Sequence, residues 1–129
     1  MVMTSTIRVR VPATTANMGP GFDCLGMALD IWNTIVVEID GVEPGAERLS
    51  ISGEGKNSLS LGDDNLVYQC FKRVYDGIGL PAPDVRISCE NEIPLGRGLG
   101  SSAAAVAGGL LAGSRFSGAN LSPERILEL

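Results

Sequence analysis

The stretch Pro94–Ala104 reads PLGRGLGSSAA, and the elements around it take their meaning from it. Gly96, Gly98 and Gly100 alternate with other residues, two serines follow, and Ala103–Ala112 is then small and apolar almost throughout. Glycine adopts backbone conformations that other residues resist and lets a ligand approach the main chain closely. Ser101 and Ser102 stand where a helix should begin, and Ser is a favoured N-cap. A glycine-rich turn feeding a helix presents free N–H groups and the positive end of the helix dipole, which makes an anion site, most often for phosphate. A Walker A loop requires Lys after its last glycine, and no Lys follows Gly100. Gly98–Ala103 does fit the dinucleotide pattern G-x-G-x-x-G/A. That pattern expects a second strand ending in an acid about 20 residues on, where Ser117–Pro123 reads as a loop. The plain structural alternative is a loop that serves only tight packing.

Upstream of the loop, Val85, Ile87 and Cys89 alternate with Arg86 and Ser88, which gives a strand, and Glu90-Asn91-Glu92 leads into Pro94. Those carboxylates should turn away from a phosphate site, because like charges repel; holding Mg²⁺ is the weaker use for them. Leu66, Val67, Cys70, Phe71, Val74, Tyr75 and Ile78 recur at helical spacing, with Asp63 or Asp64 as the expected cap and Gly77 or Gly79 as the stop. Thr6–Val11 alternates Ile7, Val9 and Val11 against Arg8 and Arg10, a half-buried strand that Pro12 should end. Met27–Asp40 alternates as one long strand, or two broken near Trp32-Asn33, and Leu49–Ser52 returns as a short strand, so a hairpin is expected. Glu54–Asp64 reads as a polar loop. Downstream, Ser101–Arg115 carries no charge before Arg115, and a helix apolar all round should be buried. Its five Ala and three Gly between Ala103 and Gly113 allow close approach to a sheet. Ser122-Pro123-Glu124 opens a last helix with cap, proline and acid.

The segment Ala13–Gly26, ATTANMGPGFDCLG, reads as a long loop. Asn17 and Asp23 are its polar groups with recognition capacity; both could equally satisfy their own turn backbone.

The loop at Pro94 resembles the phosphate loop of the GHMP kinases, P-x-x-x-G-L-G-S-S-A-A, and Pro94, Gly98, Leu99, Gly100, Ser101, Ser102, Ala103 and Ala104 match every fixed position. Val11–Leu29 resembles the N-x-G-x-G-F-D signature of the homoserine kinase branch of that family, whereas galactokinase and mevalonate kinase carry a different segment there. The resemblance implies a phosphate loop of Pro94, Leu95, Gly96, Arg97, Gly98, Leu99, Gly100, Ser101, Ser102, Ala103 and Ala104 around ATP, with Ser101 or Ser102 near Mg²⁺. It implies that Asn17 and Asp23 contact homoserine, and makes Asp23 the one motif carboxylate able to act as a base. Asp64-Asn65-Leu66-Val67 is similar to the family's adenine-pocket segment, which makes Asn65 a candidate for the base edge; capping is its other use. The implied fold is α+β: a mixed sheet with packed helices and a left-handed βαβ unit, an exception to the usual hand.

Composition limits the alternatives. The chain of 129 residues has room for one modest core, and its 44% apolar content is neither disordered nor membrane-spanning. The net charge of −5 and the lack of a basic patch argue against a nucleic-acid partner. There is no His, so imidazole catalysis and His-ligated metals are excluded within the chain. Cys24, Cys70 and Cys89 lack metal-ligand spacing and read as small buried residues of a cytoplasmic protein. The sequence stops barely two turns into its last helix, and the reading is of an N-terminal ATP-binding domain, residues 1–129, without its C-terminal domain. The family's acidic Mg²⁺ ligand and its substrate-carboxylate arginines would lie beyond, so the piece alone is expected to have little activity. The expected reaction is ATP-dependent phosphorylation of the L-homoserine hydroxyl, in threonine biosynthesis, by a protein that the resemblance allows to be a homodimer. A sister kinase for another alcohol and a non-catalytic sensor of the same fold remain as alternatives.

Overall fold

The computed structural model describes residues 6–15, 27–39 and 49–129. Its elements follow in the order β1 (Thr6–Thr15), β2 (Met27–Glu38), β3 (Leu49–Gly53), α1 (Leu66–Ile78), β4 (Arg86–Asn91), α2 (Ser101–Phe116) and α3 (Pro123–Leu127). The four strands form one sheet in the order β1-β2-β4-β3. β1 and β4 both run antiparallel to β2, and β3 runs parallel to β4. This mixed α+β architecture is the expected one.

Two local expectations are corrected, and one left open is decided. β1 does not stop at Pro12 but runs on to Thr15. Proline is tolerated there because β1 is an edge strand and the register shifts beside it. Pro12 faces Trp32 while Ala13 faces Leu29, which leaves Asp30 and Ile31 as extra residues on β2. β2 is therefore one strand with a bulge. The expected β2–β3 hairpin does not form: β4 lies between the two strands, and β3–α1–β4 is a parallel crossover unit. β4 takes the place beside β2, with Ile87 and Cys89 buried opposite Val37 and Ile35.

Val9, Ile35, Val37 and Ile87 on the sheet meet Val67, Phe71 and Tyr75 of α1 and Ala112 of α2 in the main core. Burying a side chain such as Phe71 contributes about 1.5–3 kcal/mol. The opposite sheet face carries Arg8, Arg10, Ser88 and Glu90, and the Arg10 guanidinium lies 4.5 Å from the Trp32 ring centroid.

α2 is corrected too. It is not buried all round: Val106 and Leu111 are each 37% exposed. Its glycines bring it against α1 as well as the sheet. A Cβ at Gly109 would stand 2.6 Å from the Val67 carbonyl oxygen, one at Gly113 would stand 2.9 Å from that of Phe71, and one at Gly108 would collide with the Ile35 side chain. Ser114 is buried, and its hydroxyl accepts the Leu121 N–H at 2.7 Å, which ties the turn before α3 to α2. α3 opens as expected, with Ser122 Oγ accepting the Arg125 N–H at 3.2 Å and Pro123 in the first turn. Among the described residues no helix is long and apolar enough to cross a membrane.

Candidate functional site

The loop between β4 and α2 is held at both ends. At its start, the Asn33 side-chain oxygen on β2 accepts the N–H groups of Glu92 and Ile93, each at 3.0 Å. The Glu92 carboxylate turns away from the loop and accepts the Trp32 N–H at 3.3 Å, in the bulged part of β2. Asn91 donates its amide to the Glu54 carbonyl at 3.1 Å. At its end, the Thr14 N–H donates to the Leu99 carbonyl at 2.9 Å, and Gly100 lies so close that a Cβ there would stand 2.5 Å from the Thr14 hydroxyl. Leu99 also packs with Ala13, Ile93 and Ala104 in a small cluster of its own.

Between these anchors Gly96, Gly98 and Gly100 have φ of 66°, 70° and 78°, while Arg97 and Leu99 keep negative φ. Alternation of this kind turns successive N–H groups toward one side and forms an anion-binding concavity. A Cβ at Gly96 would meet nothing within 4 Å, so the loop's own backbone conformation, and not crowding, requires glycine there.

The expected serine cap is corrected. The N-cap of α2 is Gly100 in the left-handed conformation, and among the described residues no side chain caps the helix. The reason is the third glycine: once its backbone turns the chain directly into the helix, Ser101 and Ser102 become the first helical residues. Their hydroxyls are thereby left for other work, and among the described residues the first N–H groups of α2 have no side-chain acceptor.

Below the helix head lies a cleft of about 240 Å³, lined among others by Asn33, Asn91, Ser101 and Ser102 near the loop and by Leu59, Ser60, Asp64 and Asn65 near α1. The expected Asp63 or Asp64 cap of α1 is corrected to Asn65. Asn65 is buried, its Oδ1 accepts the N–H groups of Val67 and Tyr68 at 3.0 and 3.3 Å, and its Nδ2 donates to the Ser60 carbonyl at 2.8 Å. Ser60 donates its hydroxyl to the Asp64 carboxylate. Leu59, Leu66 and Leu95 make the cleft apolar on this side, and Leu59 and Leu66 are among the large exposed apolar residues of the chain.

Of the residues singled out in the sequence, the structure brings Asn65, Leu95, Ser101, Ser102 and Ala104 to this one cleft. Gly96, Arg97 and Gly98 stand exposed on the loop above. Ala103 is exposed on the first turn of α2, and Pro94 is half-buried at the loop's start. Asn17, Asp23 and Cys24 lie outside the described residues. Sequence reading missed Asn33, Leu59 and Ser60. Leu59 and Leu61 in an otherwise polar loop were the available signal for one wall, and an Asn at an inward strand position was the signal for the other. Cys89 lines the cleft and burial pushes its thiol up to about 11, so it is an inert wall at neutral pH.

The donor set suits a Mg-nucleotide. Backbone N–H groups face anionic oxygen, and serine hydroxyls are oxygen donors of the kind Mg²⁺ takes alongside phosphates and water. Among the described residues no three carboxylates or cysteines cluster as a metal site of their own.

Residues 65–129 match the family model for the GHMP kinases N terminal domain. The chain is 46% identical over 125 residues to the homoserine kinase of Caldanaerobacter subterraneus subsp. tengcongensis, covering 95% of this chain and 38% of that protein. It is 43% identical over 129 residues to the homoserine kinase of Nostoc punctiforme, covering 100% of this chain and 42% of that one. The crystal structure of homoserine kinase from Cytophaga hutchinsonii superposes with a TM-score of 0.76 at 27% identity, over 99% of this chain and 40% of that one. The chain thus spans about two fifths of the length of the relatives it matches.

Proposed function

We propose, for a chain that belongs to the GHMP kinases and carries their N-terminal domain, that it is the nucleotide-binding part, residues 1–129, of an enzyme that transfers the γ-phosphoryl group of ATP to the side-chain hydroxyl of L-homoserine. The observation that carries the proposal is the uncapped head of α2 behind three left-handed glycines, opening onto a cleft that is polar at the loop and apolar at α1. Mg-ATP supplies the phosphoryl group.

The chain's own residues do the positioning, which is most of what phosphoryl transfer asks of a protein. The N–H groups of the loop from Pro94 to Ala104 hold the phosphates, and Gly96, Gly98 and Gly100 hold those N–H groups on one side. Arg97, exposed at the loop's tip, adds positive charge. Ser101 and Ser102 offer hydroxyl oxygens to Mg²⁺. Leu59, Leu66 and Leu95 enclose the adenine, and Asn65 reaches its edge with the amide hydrogen not given to Ser60. Asn17 and Asp23 orient homoserine so that its hydroxyl lies in line with the γ-phosphorus. Asp23 either pairs with the substrate ammonium or takes the hydroxyl proton as the O–P bond forms. The branch of the family, and with it homoserine, is supported by the whole-chain similarity to homoserine kinases; a place on the route to threonine is part of the same proposal. We place this enzyme in the cytoplasm.

The test is homoserine-dependent ADP release by the full-length gene product, with serine, threonine and mevalonate as comparison substrates. Release with homoserine alone supports the proposal. Release with another alcohol only would make this a sister kinase. Mg-ATP binding without turnover of any alcohol would favour the sensor.

A further inference from the structure

We infer that Asn33 is a further phosphate-binding residue, whose side-chain N–H donates to a phosphate oxygen of the nucleotide at the head of α2; the inference rests on the nucleotide reading above.

Asn33 is only 7% exposed and sits on the inward face of β2, in the row otherwise filled by Ile31, Ile35 and Val37. A polar side chain in such a row is costly unless its hydrogen bonds are made. One half of the amide is accounted for. Its oxygen takes two backbone N–H groups, from Glu92 and Ile93. An amide nitrogen could accept neither, so the side chain cannot be turned over and Nδ2 must point the other way. No described residue accepts from that nitrogen. It is not sealed in the core either, because Asn33 lines the cleft together with Ser101 and Ser102.

The packing of α2 puts the phosphate end of the cleft over this nitrogen. Gly100 rests on Thr14 of β1, and Gly108 rests on Ile35 of β2 and Val11 of β1. β1 and β2 are antiparallel, with Val11 facing Asn33. The helix head therefore extends along the sheet from Ile35 past Asn33 toward Thr14. Asn33 thus lies beneath the first turns of α2, across the cleft from the free N–H groups of the helix. A group that can only donate, in a site already lined by donors, fits a ligand made of acceptors. Phosphate is such a ligand. The same amide then serves twice, bracing the loop with its oxygen and holding the loop's ligand with its nitrogen.

Asn33→Asp separates the two uses. A carboxylate oxygen still accepts the Glu92 and Ile93 N–H groups, while the donor becomes an oxygen that repels phosphate. In the full-length gene product the Kd for Mg-ATP should rise about tenfold or more, with the adenosine Kd little changed; the buried carboxylate also lowers stability, so both are read well below the variant's own melting temperature. Unchanged Mg-ATP affinity in the folded variant overturns the inference. Should the variant not fold, the wild type decides the matter through the ¹⁵N resonance of the Asn33 side-chain amide, identified by its proximity to the Glu92 and Ile93 amides. Titration with magnesium tripolyphosphate should move it together with the backbone amides of Gly98–Ser102, and adenosine should leave it in place. If the loop amides move and Asn33 does not, the role of Asn33 is refuted and the nucleotide reading stands. If adenosine alone moves it, Asn33 belongs to the base and not to phosphate. If tripolyphosphate moves neither, both readings fall.

Discussion

Asn65 uses both ends of its amide at once: the oxygen caps α1 and the nitrogen fixes the Ser60 turn at the edge of the cleft. Asn65→Ala should cost about 1 kcal/mol for the cap and loosen the turn besides, read as a fall in the urea midpoint. Asn65→Asp should recover the cap and not the turn. Cys89 gives a pH signature. Burial raises its thiol from the ordinary 9.0 to about 11, and raises Cys70 and Tyr75 as well. On raising the pH the unfolded thiol ionises first. The stability gained by keeping Cys89 neutral is therefore complete below about pH 9 and is lost as pH climbs toward 11. The loss should be on the order of 2 kcal/mol, and Cys89→Ala should flatten, without abolishing, the decline in denaturant midpoint between those limits. Residue identities alone made the glycine loop legible, and the family resemblance singled out Asn65. They could not make Asn33 legible as a brace, because its partners Glu92 and Ile93 are brought to it only by the pairing of β2 with β4.

At the level of elements, α1 was readable from its apolar spacing to within a residue, and its end at Gly79 follows from that glycine's left-handed φ of 75°. The head of α2 was misread because serine's capping preference competes with a glycine whose backbone can turn into the helix unaided. The pairing of β3 was misread because short-range turn signals favour a hairpin, whereas the buried row of β4 wins the place beside β2. The contact between α1 and α2 makes a sharp prediction. Gly109→Ala would gain up to about 1 kcal/mol in helix propensity, but its methyl meets the Val67 carbonyl oxygen at 2.6 Å. Backbone cannot move aside as a side chain can, and overpacking of this kind costs about 1–3 kcal/mol. Gly109→Ala should lower the melting temperature. A rise would mean that the two helices separate freely. Gly100→Ala adds strain at a φ of 78° to a collision with Thr14; it should weaken Mg-ATP binding more than it lowers stability, measured by titration calorimetry beside thermal unfolding.

Across the whole molecule, β2 and β4 are the inner strands and β1 and β3 the edges. Amide exchange should be slowest at Ile35, Val37, Ile87 and Cys89 and faster along β1 and β3; uniform protection across the sheet would contradict this strand order. The apolar groove between α2 and α3, with Leu111, Leu121 and Ile126 along it, sits on the side of α2 that the sheet leaves uncovered. The sheet order also has a consequence during synthesis. β1 and β2 can pair as soon as both have left the ribosome, but the other edge of β2 must wait for β4, which is made only after β3 and α1. At about 5–20 residues per second, the nascent chain carries an open, apolar strand edge for seconds. The bulge at Asp30-Ile31, on the far half of β2 from that edge's pairing with β4, does nothing to protect it, so this stretch is where a holding chaperone would find the growing chain.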